Sequence, residues 1–257
     1  MTEKKLKLES LFIKLITLFA LLWISAINIV LGQTNQVWAD YVLNVPFANS
    51  YLFDTEFSYR TLLTKQDKWR SISISPDIER SISNRVDVMV TLRTAFTQQE
   101  TNYNTFELTP ILGMRYHFTP YSRVLLRGLF RAEYRNLYHK ETSSWEHSTR
   151  TRFRAESIIP INRKSYFENN LWYALLDAEL FWVIDQQLDE RFANQLRWRV
   201  GVGYRLSYDW RFEFIYTDQF TRDNLAGDLE ETSNVFRVRI KHFLNASKPA
   251  KQEPNDN

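Results

Sequence analysis

Charged side chains fall at every second position over long stretches of this chain. Arg127, Arg131, Glu133 and Arg135 share one parity, as do Arg152, Arg154 and Glu156, then Arg197, Arg199 and Arg205, and then Arg237, Arg239 and Lys241. Glu107 with Arg115, Asp177 with Glu179, and Arg211 with Glu213 follow the same rule. Guanidinium forks held near carboxylates can do one of two things. They can pair with them and fill a buried space, or leave surplus donors that attract an anion. A second candidate is the segment carrying His139, Glu141, Ser143, Ser144, Glu146 and His147. A hydrolytic site would need a nucleophile, a base and an orienting group, and no such triad can be read from this spacing. Two His eight residues apart in a polar loop are more simply solvated than metal-bound. No Gly-rich phosphate loop or dinucleotide fingerprint is present. Gly201 and Gly203 fall within an Arg-rich run, where they are expected to make space for Arg side chains. With no Cys, a disulfide scaffold, a thiol nucleophile and a Cys-ligated zinc are excluded.

The elements that would position these charges alternate with period two, as strands do. Over 86–96, Val86, Val88, Val90, Leu92 and Phe96 oppose Asp87, Met89, Thr91 and Arg93. Over 106–118, Phe106, Leu108, Leu112, Met114 and Tyr116 oppose Glu107, Thr109, Gly113, Arg115 and His117. Phe130, Ala132 and Tyr134 oppose the Arg131 set, and Trp198, Val200, Val202 and Tyr204 oppose the Arg197 set. Asp54 and Glu56 oppose Tyr51, Phe53, Phe57 and Tyr59. In the strand around Trp172–Trp182, Tyr173, Leu175 and Phe181 blur the pattern. A weaker run carries Ile72, Ile74 and Ile78, and the run around Trp38–Val45 is the least regular.

Several runs exceed the usual soluble strand of about 5–6 residues, whereas a tilted bilayer-crossing strand needs about 9–11. Aromatics close the apolar faces at both ends: Tyr51 and Tyr59, Trp172 and Trp182, Trp210 and Tyr216. Amphipathic rings favour the headgroup level. The expected fold is all-β, a transmembrane up-and-down antiparallel β-barrel of 10–12 strands over residues 33–244. A soluble secreted β-barrel binding a small ligand is the fold-level alternative, since period two is common to both.

Residues 1–14 carry Lys4, Lys5, Lys7 and Lys14, followed by an apolar run from Leu15 to Leu31 that Gly32 closes. This is the pattern of a Sec signal peptide over 1–32, with an uncleaved signal anchor as its rival. Removing the segment takes four Lys and two Glu and leaves a net charge of +1, so the basic pI gives no argument for nucleic acid. The chain is 15% aromatic, which argues against disorder, and a mean hydropathy of −0.40 argues against a helical membrane bundle. Residues 245–257 read as a disordered polar tail. Thr119–Ser122 and Ser207–Asp209 read as short turns; Asn136–Trp145, Asp185–Arg191 and Thr221–Thr232 read as long loops. Short turns are placed in the periplasm, together with the C-terminus. Ten runs are clear from Tyr51 onward. Eleven crossings would put the termini on opposite sides, so the Trp38 segment is taken as non-spanning or as a sign of a twelfth strand.

The early Trp38 run, the hairpin segment Arg127-Gly-Leu-Phe-Arg131-Ala-Glu133, Glu179-Leu-Phe, and Asn194-Gln-Leu-Arg197-Trp-Arg-Val-Gly201-Val-Gly-Tyr204 followed by Trp210–Gln219 carry a resemblance. Over roughly 36–244 the chain resembles the domain of unknown function 2490 family. It departs from the family at Trp182 and Val183, where Phe and Asn are expected. The resemblance implies a Gram-negative outer-membrane β-barrel and brings no activity with it.

The expected lumen-facing charges are Arg115, Arg127, Arg131, Arg152, Arg154, Arg197, Arg199, Arg237, Arg239, Glu107, Glu133, Glu156, Asp177, Glu179 and Glu213. Asp54, Glu56, Asp87, Arg135, Arg205, Arg211 and Lys241 complete the set. A filled lumen and a narrow small-solute or anion pore both accommodate them. An outer-membrane barrel enzyme acting on lipid or peptide at the outer surface is the alternative class. No catalytic residue, metal or cofactor is assigned. The expected partners are outer-membrane lipid, the barrel-assembly machinery during insertion and small anionic solutes, but not nucleic acid.

Overall fold

A computed structural model describes residues 34–48, 50–63, 69–100, 103–185, 193–222 and 230–244. The expected signal peptide and polar tail lie outside these residues. Eleven strands make one closed barrel. They are β1 (Thr34–Ala48), β2 (Tyr51–Leu62), β3 (Arg70–Ser83), β4 (Val86–Glu100), β5 (Tyr103–His117), β6 (Leu125–His139), β7 (Ser144–Pro160), β8 (Leu171–Val183), β9 (Ala193–Arg205), β10 (Trp210–Arg222) and β11 (Glu230–Phe243).

Consecutive strands pair antiparallel, and β1 closes on β11 in parallel, with Val37 opposite Phe236, Ala39 opposite Val238 and Tyr41 opposite Ile240. An odd number of strands forces this seam, because the first and last then run the same way. The expectation that the Trp38 segment would not span, or would signal a twelfth strand, is therefore corrected. It forms a full 15-residue strand paired on both sides. Its irregularity has a physical cause: Trp38 and Val42 point inward with Gln36, Asp40 and Asn44, mixing apolar and polar residues on one face. Thr34 and Phe243 consequently sit at opposite ends, here called the N-terminal and C-terminal mouths.

The barrel is inside out relative to a soluble fold. Val90, Leu112 and Trp182 are 60%, 64% and 74% exposed on the outer face, while Glu133, Glu179 and Arg237 are 2%, 2% and 4% exposed within. The Trp172 and Trp182 rings lie ten residues apart on one strand. At about 3.3 Å per residue and a tilt near 40°, that spans roughly 25 Å, the height of the apolar band on outer-membrane barrels. Beside Trp172 stands Tyr204, with ring centroids 4.7 Å apart, and Trp210 stacks on His242 at 3.9 Å.

The loop assignments need two corrections. Asn136–Trp145 is no long loop: β6 and β7 stay paired through Asn136–His147, Tyr138–Trp145 and His139–Ser144, leaving a turn at 140–143 with Ser143 at φ 52°. Short and long connections also do not segregate by end. The longest connection among those fully described, 161–170, falls at the C-terminal mouth with the short 84–85 and 206–209.

Candidate functional site: the charged lumen

Carboxylates deep inside the barrel each gather guanidinium groups from neighbouring strands. Glu179 on β8 accepts Arg197 at 2.7 Å and Arg199 at 3.2 Å from β9, and Arg152 of β7 stands 3.7 Å away. Arg199 also reaches Asp177 at 2.6 Å. Glu133 on β6 accepts Arg150 at 2.7 Å and also pairs with Arg152. Glu107 on β5 lies between Arg135 at 2.9 Å and Arg93 at 3.1 Å. At the parallel seam, Asp40 pairs with Arg237 and stands 3.6 Å from Arg239, while Glu213 takes Arg239 at 3.1 Å and Lys241 at 2.9 Å. Closer to the C-terminal mouth, Arg127 pairs with Glu156, Arg115 with Glu79 at 2.6 Å, and His117 with Asp87 at 2.6 Å. Two-residue side-chain periodicity and cross-strand register together bring about this arrangement. Buried charge of this kind persists only when paired and hydrogen-bonded.

The lumen encloses a cavity of about 300 Å³. Twelve Arg and Lys241 line it against six Asp and Glu. Of the residues expected to face the lumen, Arg115, Arg131, Arg152, Arg154, Arg197, Arg199, Arg237, Arg239, Glu107 and Glu179 line this cavity. Arg127, Glu133, Glu156, Asp177 and Glu213 sit behind it as ion-pair partners. Arg60, Arg93, Arg150, Asp40, Asp77 and Glu79 also belong to the interior, although the lumen set drawn from the sequence omits them. Extending the parity by one step would have found several: Arg150 precedes Arg152 by two, and Arg60 follows Ser58 by two.

Inward aromatics are part of the charged wall. Phe181, which blurred the alternation of its strand, lies under Arg197 at 4.7 Å, Arg150 at 5.1 Å and Arg152 at 5.4 Å. Trp38 lies under Arg60 at 4.1 Å and Arg237 at 5.5 Å. Ring faces attract cations, so these residues take the place of further carboxylates.

Apolar and tyrosine side chains pack together inside the C-terminal mouth. Leu125, Ile158, Leu171, Tyr173, Leu175 and Ile215 cluster there with Tyr166 from the connection 161–170. Arg205 donates to the Tyr166 carbonyl at 2.8 Å, and Arg211 donates to its hydroxyl at 2.8 Å. Tyr173 donates to Glu213 at 2.8 Å. Gly203 is needed here, since an added Cβ would stand 2.2 Å from the Tyr173 ring, and at Gly201 it would stand 2.8 Å from the Phe214 carbonyl oxygen. These glycines thus make room for Tyr173 and for the neighbouring strand, not for Arg as their placement in an Arg-rich run suggested.

The two His of the hydrolytic candidate lie on opposite faces of the wall. His139 is buried within, its Nδ1 2.5 Å from the Tyr103 hydroxyl and its Nε2 3.1 Å from Glu146. His147 is on the outer face, stacked with Tyr134 and Trp145 and 2.8 Å from Asn136 Oδ1. The pair cannot act on one substrate or hold one ion; both lie on strands, and the solvated reading is corrected for His139, which is buried, while His147 is exposed. Among the described residues no cluster of three or more His, Asp or Glu could hold a metal. In the turn beside them, Glu141 accepts the backbone N–H of Asn104 at 2.8 Å, which holds its carboxyl below the usual range.

Fold and interior together define a closed β-barrel with an apolar exterior and an ion-paired lumen. Residues 35–229 match the family described as a protein of unknown function (DUF2490), and the chain belongs to that family. No curated protein matches it in sequence. Among solved structures it is similar to one titled "NanC porin structure in rhombohedral crystal form", at 12% identity and a TM-score of 0.49, covering 77% of this chain and 94% of that one.

Proposed function

We propose that the protein is an integral outer-membrane β-barrel whose lumen admits small charged solutes from the N-terminal mouth. One observation carries the reading. Ionic side chains line a cavity inside the barrel, while the outer face is apolar over a height of roughly 25 Å between aromatic rings. Water at that outer face would meet a far larger apolar surface than soluble monomers expose. Surplus guanidinium along the cavity favours anions at entry. The Tyr166 cluster restricts passage at the far mouth. A barrel with a filled, purely structural lumen is the second reading, favoured by the density of ion pairs.

Planar-bilayer recording separates the two. A small steady conductance in the wild type that rises in Tyr166→Ala supports the solute path. Silence in both, with insertion verified by a heat-dependent gel shift, supports the filled barrel.

A further inference from the structure

Two patches of the lumen hold charges with no opposite charge at ion-pair distance among the described residues. On β2 and β3, Asp54 and Asp77 stand directly opposite each other across the strand pair. Like charges so placed repel. Three nearby cations are engaged elsewhere: Arg237 with Asp40 and Glu56, Lys241 with Glu213, Arg115 with Glu79. A fourth, Arg131, acts on Asp77 electrostatically without touching it. The Asp77 carboxylate is oriented by the Thr91 hydroxyl, which donates to it. On β6 and β7, Arg131 stands directly opposite Arg152. Arg152 is neutralised by Glu133 and Glu179. Arg131 and its neighbour Arg154 have no carboxylate within 4 Å among the described residues, and the Nε of each is buried without a hydrogen-bond partner.

Between these patches lies an uncharged floor. Met89 lies over Gly113, its Cγ where a Cβ would stand 2.5 Å away, and the Arg131 stem runs beside it. Ile111 completes the floor, and all of these residues except Gly113 line the same cavity as Asp54, Asp77, Arg131 and Arg154. From β3 to β6 there are three inter-strand steps of about 4.8 Å, and the register puts Glu133 level with Asp77, so Arg131, two residues along, has its backbone roughly 16 Å from that of Asp77 along the wall. The two charges are not in contact, so a solute that meets both would stand between them in the cavity that both line.

We propose that this part of the lumen binds a zwitterion with a small apolar body, its ammonium on Asp54 and Asp77, its carboxylate on Arg131 and Arg154, and its apolar part on Met89 and Ile111. A free amino acid has this chemistry. A simple anion would satisfy the guanidinium side and leave the Asp pair uncompensated; a simple cation would do the reverse. The inference deepens the solute-path reading and rests on a lumen that solutes can enter.

The test measures binding rather than transport, on the full-length barrel folded in detergent, through quenching of the cavity tryptophans Trp38 and Trp69. The probes are leucine, 4-methylpentanoate and 3-methylbutylamine, which share a branched body and differ in charge. Leucine is expected to bind at least about tenfold more tightly than either analogue, the scale of one lost charge-assisted contact. In Asp54→Asn/Asp77→Asn the preference over the carboxylate should vanish. In Arg131→Gln/Arg154→Gln the preference over the amine should vanish. Equal binding of leucine and 4-methylpentanoate would overturn the proposal in favour of a plain anion site. No binding of any probe, with the heat-dependent gel shift intact, would overturn it while leaving the barrel reading in place. If an Arg variant fails to show the shift, the wild-type ranking of the three probes still decides.

Discussion

At the scale of the residue, buried ion pairs and one glycine carry the strongest consequences. Glu179 is the hub of three guanidinium groups and is 2% exposed. Breaking such a hub leaves uncompensated charge, so Glu179→Ala should cost about 3–5 kcal/mol in unfolding from lipid vesicles. A loss under about 1 kcal/mol would show that water reaches and screens the site. Gly203→Ala should cost about 1–3 kcal/mol through the clash with Tyr173. Its cost should shrink when combined with Tyr173→Ala, and strict additivity would refute the contact. Parity separates the charged face of a strand from the apolar one, because side-chain direction in a strand is a local property, yet the lumen set drawn from it leaves out Arg60, Arg93 and Arg150. What parity could not reach was pairing. That Phe181 serves three Arg, and that Arg131 has no carboxylate within 4 Å among the described residues while Arg152 has two, depends on which strands are neighbours and on their register.

At the scale of the element, the parallel seam is the feature least visible in the sequence. Ten clear runs were legible from alternation, and the eleventh was not, since its inward face mixes Trp38 and Val42 with polar residues. No local signal distinguishes a parallel from an antiparallel closing pair. The native chain has no Cys, so cross-linking can test the seam without background. Ala39→Cys/Val238→Cys and Tyr41→Cys/Ile240→Cys should each oxidise to a disulfide, because neighbouring strand backbones lie within disulfide reach. The crossed pair Tyr41→Cys/Phe236→Cys should not. Efficient linking of the crossed pair would indicate an antiparallel seam. The β4–β5 and β6–β7 turns offer a pH test. The Glu141 carboxyl is held below its usual range by Asn104, so that contact is present at neutral pH and lost as pH falls through the lowered value. Protection of the Asn104 amide should decline in acid, and a flat profile would remove the contact from the account.

At the scale of the whole molecule, an apolar exterior wraps a charged interior. Alternation alone left a soluble barrel open, because period two says that two faces differ without saying which one faces water. Strand length and ring spacing inclined the reading toward a bilayer, and barrel closure puts the charged face inside. The expected cost of charge on the outer face then depends on depth. Leu112→Arg, near mid-height on the exposed face, should destabilise the inserted barrel by about 2–4 kcal/mol, while Tyr121→Arg, in the connection 118–124, should cost about 0–1 kcal/mol. Equal costs would remove the membrane from the argument. The most direct measurement of the central claim is heat-modifiability of the protein in detergent-extracted outer membranes. The protein is expected in that fraction and at different apparent masses before and after boiling. Recovery from the soluble periplasm with unchanged migration would contradict it.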